Sequence, residues 1–219
     1  MTGPPSSRGR QTKFIVVRHG ETHWNVAARI QGQQDSSLTD EGIAQAEALA
    51  QRLAGERFDR IISSDLGRAH DTAKSIAAAC GHAITTDARF RERHFGAVEG
   101  LLYDEADRLY PGAFSRVRET DPDFVVPGGE SRRQFHARVV AAFEALARAH
   151  AGETVVVVTH GGVLATLYRH IHAIPLDKAH SIPITNASYN ALTFDGARWA
   201  VDTWSCTLHL PGAEPFEEA

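Results

Sequence analysis

The chain has 219 residues, 42% of them apolar and 23% charged, which is the make-up of one globular domain with enough length to bury a sizeable core. A formal net charge of −4 argues against a nucleic-acid or anionic-membrane surface, so an anion site has to come from a local gathering of arginines. Two cysteines, Cys80 and Cys206, form neither a disulfide framework nor a metal motif and suit a reducing, cytoplasmic setting, and no stretch approaches the roughly 18 apolar residues of a membrane span.

Residues 1–12 carry Pro4-Pro5, Ser6-Ser7, Arg8 and Arg10 without the apolar stretch of a secretory signal, and read as a disordered tail. The folded domain is expected over 13–206. Lys13-Phe14-Ile15-Val16-Val17 is apolar, β-branched and too short for a helix, so it reads as a buried strand. It runs out into Arg18-His19-Gly20-Glu21-Thr22, and Thr22-His23-Trp24-Asn25 opens a loop. Thr39 caps a helix with Ile43, Ala46, Leu49, Ala50 and Leu53 on one face, up to Gly55. Arg60 to Ser64 is a second strand, Asp65 to Cys80 a helix stopped by Gly81, and Ala83 to Thr86 a third strand. Arg89 to Gly100 is a loop of dense charge. A helix over Tyr103–Tyr110 is broken by Pro111-Gly112, and Pro122 and Pro127-Gly128-Gly129 are further breakers.

Ser131 to His150 reads as a long amphipathic helix with Phe135, Val139, Ala142, Phe143 and Leu146 in one stripe. Glu153 to Thr159 holds four consecutive valines, a central strand, and it ends in His160-Gly161-Gly162. A helix over Val163–His172 follows, then a hairpin of Tyr189–Phe194 with Trp199–Trp204 around Asp195-Gly196. Residues 207–219 read as a loose acidic tail. Strands alternating with helices predict a three-layer α/β/α sandwich with a mainly parallel central sheet.

Two strands thus end in histidine: one in Arg18-His19-Gly20, the other in Thr159-His160-Gly161-Gly162. A third, ending at Ser63-Ser64, leads to Arg68. In a parallel sheet all three endings share the edge where ligands bind. Alone, Arg68 reads as a surface helix residue and Glu92, between Arg91 and Arg93, as part of a solvated charge cluster. Together they form a set suited to phosphate monoesters. Neutral imidazole supplies a lone pair, arginine forks match the phosphoryl oxygens, and a nearby acid protonates the leaving alkoxide. The chain has no G-x-x-x-x-G-K-[ST] run and no glycine fingerprint after its first strand. The histidines lack a companion carboxylate cluster, and arginines beside them would repel a cation, so no metal or other cofactor is expected.

Arg18-His19-Gly20-Glu21-Thr22 with Trp24-Asn25 resembles the signature of the histidine phosphatase superfamily, the phosphoglycerate mutase-like group. The resemblance continues through Arg29 to Asp35, Leu38-Thr39, Ser63 to Ala69, Arg91 to Gly96 with Glu99-Gly100, Pro127 to Ser131 and Thr159 to Gly162. It implies that the fold is phosphoglycerate mutase-like. It also implies that His19 is the nucleophile that becomes phosphohistidine, that Arg18, Arg68 and His160 hold the phosphoryl group, and that Glu92 is the general acid and then the base. Asn25, Gln31, Gly32 and Gly161 would add contacts to phosphate or substrate.

The short segment between Glu92 and Ser131, Gly162 where glycolytic mutases carry asparagine, and Asn186-Ala187-Ser188 resemble the phosphatase branch. Glu92 to Gly96 is closer to the mutase version, and Arg93, Arg116 and Arg118 are available to an acidic substrate. The expected function is hydrolysis of a small phosphorylated metabolite with inorganic phosphate as product. The alternatives are bisphosphoglycerate-dependent mutase and non-catalytic phosphate-binding module. Neither nucleic acid nor membrane is expected as a partner, and a homodimer is left open.

Overall fold

The apolar run near the N-terminus forms strand β1 (Thr12–Arg18) in a computed structural model that describes residues 11–111, 121–178 and 181–212. Thr12, assigned to the tail on composition, is buried in this strand, where its hydroxyl donates to the Ala147 carbonyl at 2.8 Å. The chain continues through α1 (His23–Val26), α2 (Asp40–Ala54), β2 (Arg60–Ser63), α3 (Gly67–Cys80), β3 (Ile84–Thr86) and α4 (Tyr103–Leu109). It ends with α5 (Arg132–Ala149), β4 (Thr154–Thr159), α6 (Gly161–Ile171), β5 (Tyr189–Phe194) and β6 (Trp199–Cys206). The strands form one six-stranded sheet in the order β3-β2-β4-β1-β5-β6. The β1–β4, β2–β4 and β2–β3 pairs are parallel, and β5 and β6 close one edge antiparallel.

The continuous apolar character of β1 and β4 follows from burial on both faces. Phe14, Val16, Val155 and Val157 pack with Phe135, Val139 and Phe143 of α5 and Leu164 and Leu167 of α6. Ile15, Val17, Val156 and Val158 face the other way, onto Leu49 and Leu53 of α2 and Ala69, Ala73 and Ile76 of α3. This alternation with period 2 is the three-layer α/β/α sandwich. In α2 the stripe is shifted from expectation. Ala46, Leu49, Ala50 and Leu53 are buried, but Ile43 is 46% exposed and Gln45 turns inward to accept the Glu21 N–H.

Two helix starts differ from the pattern. α3 begins at Gly67, not at Asp65, because the Asp65 carboxylate pairs with Arg91 and offers the helix no cap. Asp35 supplies an acceptor instead, taking the Arg68 N–H at 3.3 Å. α6 begins at Gly161, two residues before the expected Val163. Four residues read as loop form the short α1, whose Thr22 cap and Asn25 make a reciprocal capping box. Beyond β6, His209 bonds the Ala187 carbonyl at 3.0 Å and Leu210 packs against the core, so 207–212 follow the surface of the domain. No described helix is long and apolar enough to cross a membrane.

Candidate active site

The register of the sheet builds the site. Arg18 lies opposite Thr159 on neighbouring parallel strands, so the next residues, His19 and His160, leave the sheet side by side. The His19 N–H donates to the Thr159 carbonyl at 2.9 Å, and the two imidazole centres are 5.3 Å apart. One strand over, the Ser64 N–H donates to Val158, bringing the end of β2 to the same edge. The three endings open on a cavity of about 400 Å³ whose lining includes Arg18, His19, Asn25, Gln31, Gly32, Arg68, Glu92, Gly161 and Gly162. Its remaining wall is mostly apolar, with Ile30, Phe95, Val98, Ala106 and Val126.

His19 is almost fully buried, and its Nδ1 lies 2.7 Å from the Gly20 carbonyl. A carbonyl only accepts, so Nδ1 carries the proton and Nε2 holds the lone pair. Burial first, then the charges of Arg18 and Arg68, hold the His19 pKa well below the ordinary imidazole value. The ring is therefore neutral, with a free lone pair, at physiological pH. His160 is fully buried too, and burial and then Arg68 push its pKa down in the same way. Its Nε2 sits 2.8 Å from Ser64 Oγ, which itself accepts the Leu66 N–H, and its Nδ1 has no partner.

Arg68, which alone reads as a surface residue, is 1% exposed. Its guanidinium donates to the carbonyls of Gln34 (2.8 Å) and Gly32 (2.7 Å) and to Asp35 (3.0 Å). Arg18 donates from Nη1 to the Ile184 carbonyl at 2.7 Å. Burial lowers the pKa of both arginines, and neither loses its charge. Among the described residues seven buried side-chain polar atoms lack a hydrogen-bond partner, and four belong to this site: Arg18 Nε, Arg68 Nε, His160 Nδ1 and Gln31 Oε1. Unmet buried donors are costly, and the two guanidinium nitrogens at one sheet edge, with His160 Nδ1 beside them, suit an oxyanion.

Asn25 is aimed by its neighbours. Its Oδ1 accepts from the Thr22 N–H and hydroxyl and from Asn186 Nδ2, so its own Nδ2 is the group left for a ligand. Glu92 lines the cavity opposite, with Oε1 accepting the Arg93 N–H at 2.7 Å and Oε2 the Gly162 N–H at 2.8 Å. Arg138 fixes the backbone beneath it by donating to the carbonyls of Arg89, Arg91 and Glu92.

Of the residues singled out from the sequence, His19, Arg18, Arg68, Glu92, Asn25, Gln31, Gly32 and Gly161 converge on this cavity, and His160 stands beside His19. Arg93 does not. It is 6% exposed, donates to the carbonyls of Glu130 (3.0 Å) and Phe124 (3.5 Å), lies over the Phe95 ring and is absent from the cavity lining. Burial brings its pKa down to about 10. Arg116 and Arg118 lie outside the described residues. Sequence reasoning gave no role to Ser64, Asn186 and Arg138, and Glu99 entered only as part of a motif. All four act through contacts distant in the chain; Ser64, Asn186 and Glu99 stood within runs that carried the resemblance, and Arg138 did not. Among the described residues no cluster of three or more His, Cys, Asp or Glu is placed to hold a metal ion.

Residues 14–207 match the family model of the histidine phosphatase superfamily (branch 1). The chain is 41% identical over 204 residues to phosphoglycerate mutase-like protein 4 of Arabidopsis thaliana, covering 90% of this chain and 86% of that one. It is also 41% identical over 202 residues to a metal-independent phosphoserine phosphatase of the same plant, covering 91% and 83%. Among solved structures, YhfR of Bacillus stearothermophilus superposes with a TM-score of 0.86 at 35% identity, covering 91% of this chain and 99% of that one. The paired histidines, the buried arginines behind them and a match that runs nearly end to end lead to one assignment: the chain belongs to the histidine phosphatase superfamily.

Proposed function

We propose that this chain is a metal-independent phosphomonoesterase that hydrolyses small phosphorylated metabolites through a phosphohistidine on His19. The observation that carries this reading is the trio of buried, unpartnered nitrogens of Arg18, Arg68 and His160 beside an imidazole whose Nδ1 is already tied. In the first half-reaction His19 Nε2 attacks phosphorus, the bond from phosphorus to the ester oxygen breaks, and the protonated Glu92 carboxyl gives its proton to the departing alkoxide. In the second, the Glu92 carboxylate takes a proton from water, the resulting oxygen attacks phosphorus, the P–N bond breaks and inorganic phosphate leaves. Charge on the peripheral oxygens is met by the arginines, His160 and Asn25, which is where most of the catalysis of a loose phosphoryl transfer resides.

The phosphoserine phosphatase among the relatives supports the hydrolytic reading. Arg93, the cation that the sequence offered for a second acidic group, is committed to backbone carbonyls, and the further cation in the cavity lining is Arg29, which donates to the Gly100 carbonyl. A brief acid-free quench with labelled substrate is expected to trap base-stable, acid-labile phosphate on the wild type and none on His19→Ala. Turnover should persist in excess EDTA, with phosphate as the main product from 3-phosphoglycerate. Full activity in His19→Ala removes the proposal, and accumulation of 2-phosphoglycerate faster than phosphate replaces it with the mutase.

A further inference from the structure

Helix α6 starts with two glycines, and they are not equivalent. A side chain at Gly161 would meet its nearest atom, Arg18 Nε, at 3.4 Å, which is ordinary contact. A Cβ at Gly162 would lie 2.1 Å from Glu92 Oε1, 2.9 Å from Cδ and 3.1 Å from Oε2. Gly162 is not among the residues with positive φ, so its backbone imposes no need for glycine. Inside the first turn of a helix alanine is the better helix former. With Glu92 lying where it does in this chain, space is the requirement at this position. The Gly162 N–H, one of the donors that a helix start leaves without an internal partner, is taken by Glu92 Oε2 at 2.8 Å. His160, at the cap position, offers no side-chain acceptor of its own.

We infer that Gly162 is a positioning residue for the acid: its missing side chain is the volume in which the Glu92 carboxylate lies, and its N–H holds that carboxylate over the cavity. The inference rests on the reading of Glu92 as proton donor and base. The atoms that a Cβ would displace are the far end of a flexible side chain, while the Glu92 backbone is held separately by Arg138 and by Gln33 Nε2. Filling the space therefore moves the carboxylate and leaves the loop and the helix where they are.

The test compares Gly162→Ala, Glu92→Gln and the double variant on p-nitrophenyl phosphate, whose leaving group needs no proton, and on the best alkyl ester among phosphoserine, 3-phosphoglycerate and glycerol phosphate. Gly162→Ala is expected to melt no lower than the wild type. It should lose tenfold or more in kcat/KM on the alkyl ester and less than threefold on p-nitrophenyl phosphate. Added to Glu92→Gln it should cost nothing further, since both changes remove the same group. Gly162→Ser reads the same selectivity if the alanine variant folds poorly. Equal losses on both esters overturn the inference, because the phosphoryl cradle itself would then be blocked. No loss on either, while Glu92→Gln keeps its selective loss, overturns the seat and leaves the acid in place. A Glu92→Gln variant without leaving-group dependence removes the acid assignment and the seat together.

Discussion

Arg68 shows how far a single residue's role depends on atoms remote in sequence. On helical spacing it is one more polar position of α3, yet it is fully buried, and its guanidinium is held by the carbonyls of Gly32 and Gln34. Those contacts and the one to Asp35 use Nη1 and Nη2 and leave Nε without a partner. Arg18, His19 and His160 were legible because they stand at strand ends, where a run of β-branched residues breaks off into Arg-His or Thr-His. The burial of Arg68 was not, because no local pattern announces a carbonyl cradle built by a distant loop. The inward turn of Arg93 was hidden for the same reason. Arg68→Ala is expected to lower kcat/KM by about a hundredfold, on the order of 3 kcal/mol of transition-state stabilisation. Arg68→Lys should recover little, since an ammonium cannot bind Gly32, Gln34 and a phosphoryl oxygen with one rigid fork. A loss below about threefold on steady-state assay of the folded alanine variant would return Arg68 to a structural role.

Among the elements, the segment from Arg89 to Gly100 departs most from its sequence reading. Dense charge suggests a solvated loop, but each charge has its own place. Arg91 pairs with Asp65 and Arg89 with Asp87 on the outside, while Glu92 enters the cavity. Glu99 turns inward and accepts three backbone N–H groups, from Gln33 (2.9 Å), Gln34 (3.2 Å) and Phe95 (2.8 Å). It thereby ties the loop that cradles Arg68 to the loop that carries Glu92. Gly32, at φ +56°, leaves the room for it, as a Cβ there would sit 2.0 Å from Glu99 Oε1. Short elements of this kind escape periodicity, as the four-residue α1 did. In Glu99→Gln one amide NH₂ must face a backbone donor. The expected cost is about 1–3 kcal/mol in denaturant unfolding, the usual penalty for an unmet buried donor. Activity should fall alike on p-nitrophenyl phosphate and on an alkyl ester, because the loop that fixes Arg68 shifts. Unchanged stability and unchanged kinetics would show that the clamp carries neither loop.

At the scale of the whole molecule, the sheet order β3-β2-β4-β1-β5-β6 puts the two longest valine-rich strands at the centre and sends both histidines out of the same edge. That architecture was readable because strands buried on both faces need continuous apolar runs, and only a few segments of this chain supply them. It also has a consequence for stability, since it places two imidazoles in a site that burial and two arginines keep from taking up protons. In the unfolded chain both titrate near the ordinary value of about 6.5. Their folded pKa values lie well below that, so between the two the unfolded state binds protons that the native state refuses. The stabilisation is complete above about pH 6.5 and is lost as pH falls towards the folded values, by up to about 1.4 kcal/mol per pH unit for each group. Wild type and His160→Gln, unfolded in urea between pH 7 and pH 5, should therefore differ in slope by up to that amount, the wild type losing stability faster. The carboxylates held low by Arg91 and Arg89 contribute to both proteins alike and cancel in the comparison. The measurement belongs in phosphate-free buffer, because an anion bound to the native site would stabilise it by mass action and favour the charged imidazoles. Parallel slopes would mean that His160 takes up its proton in the folded protein as readily as in the unfolded chain, and would overturn the lowering ascribed to its burial and to Arg68.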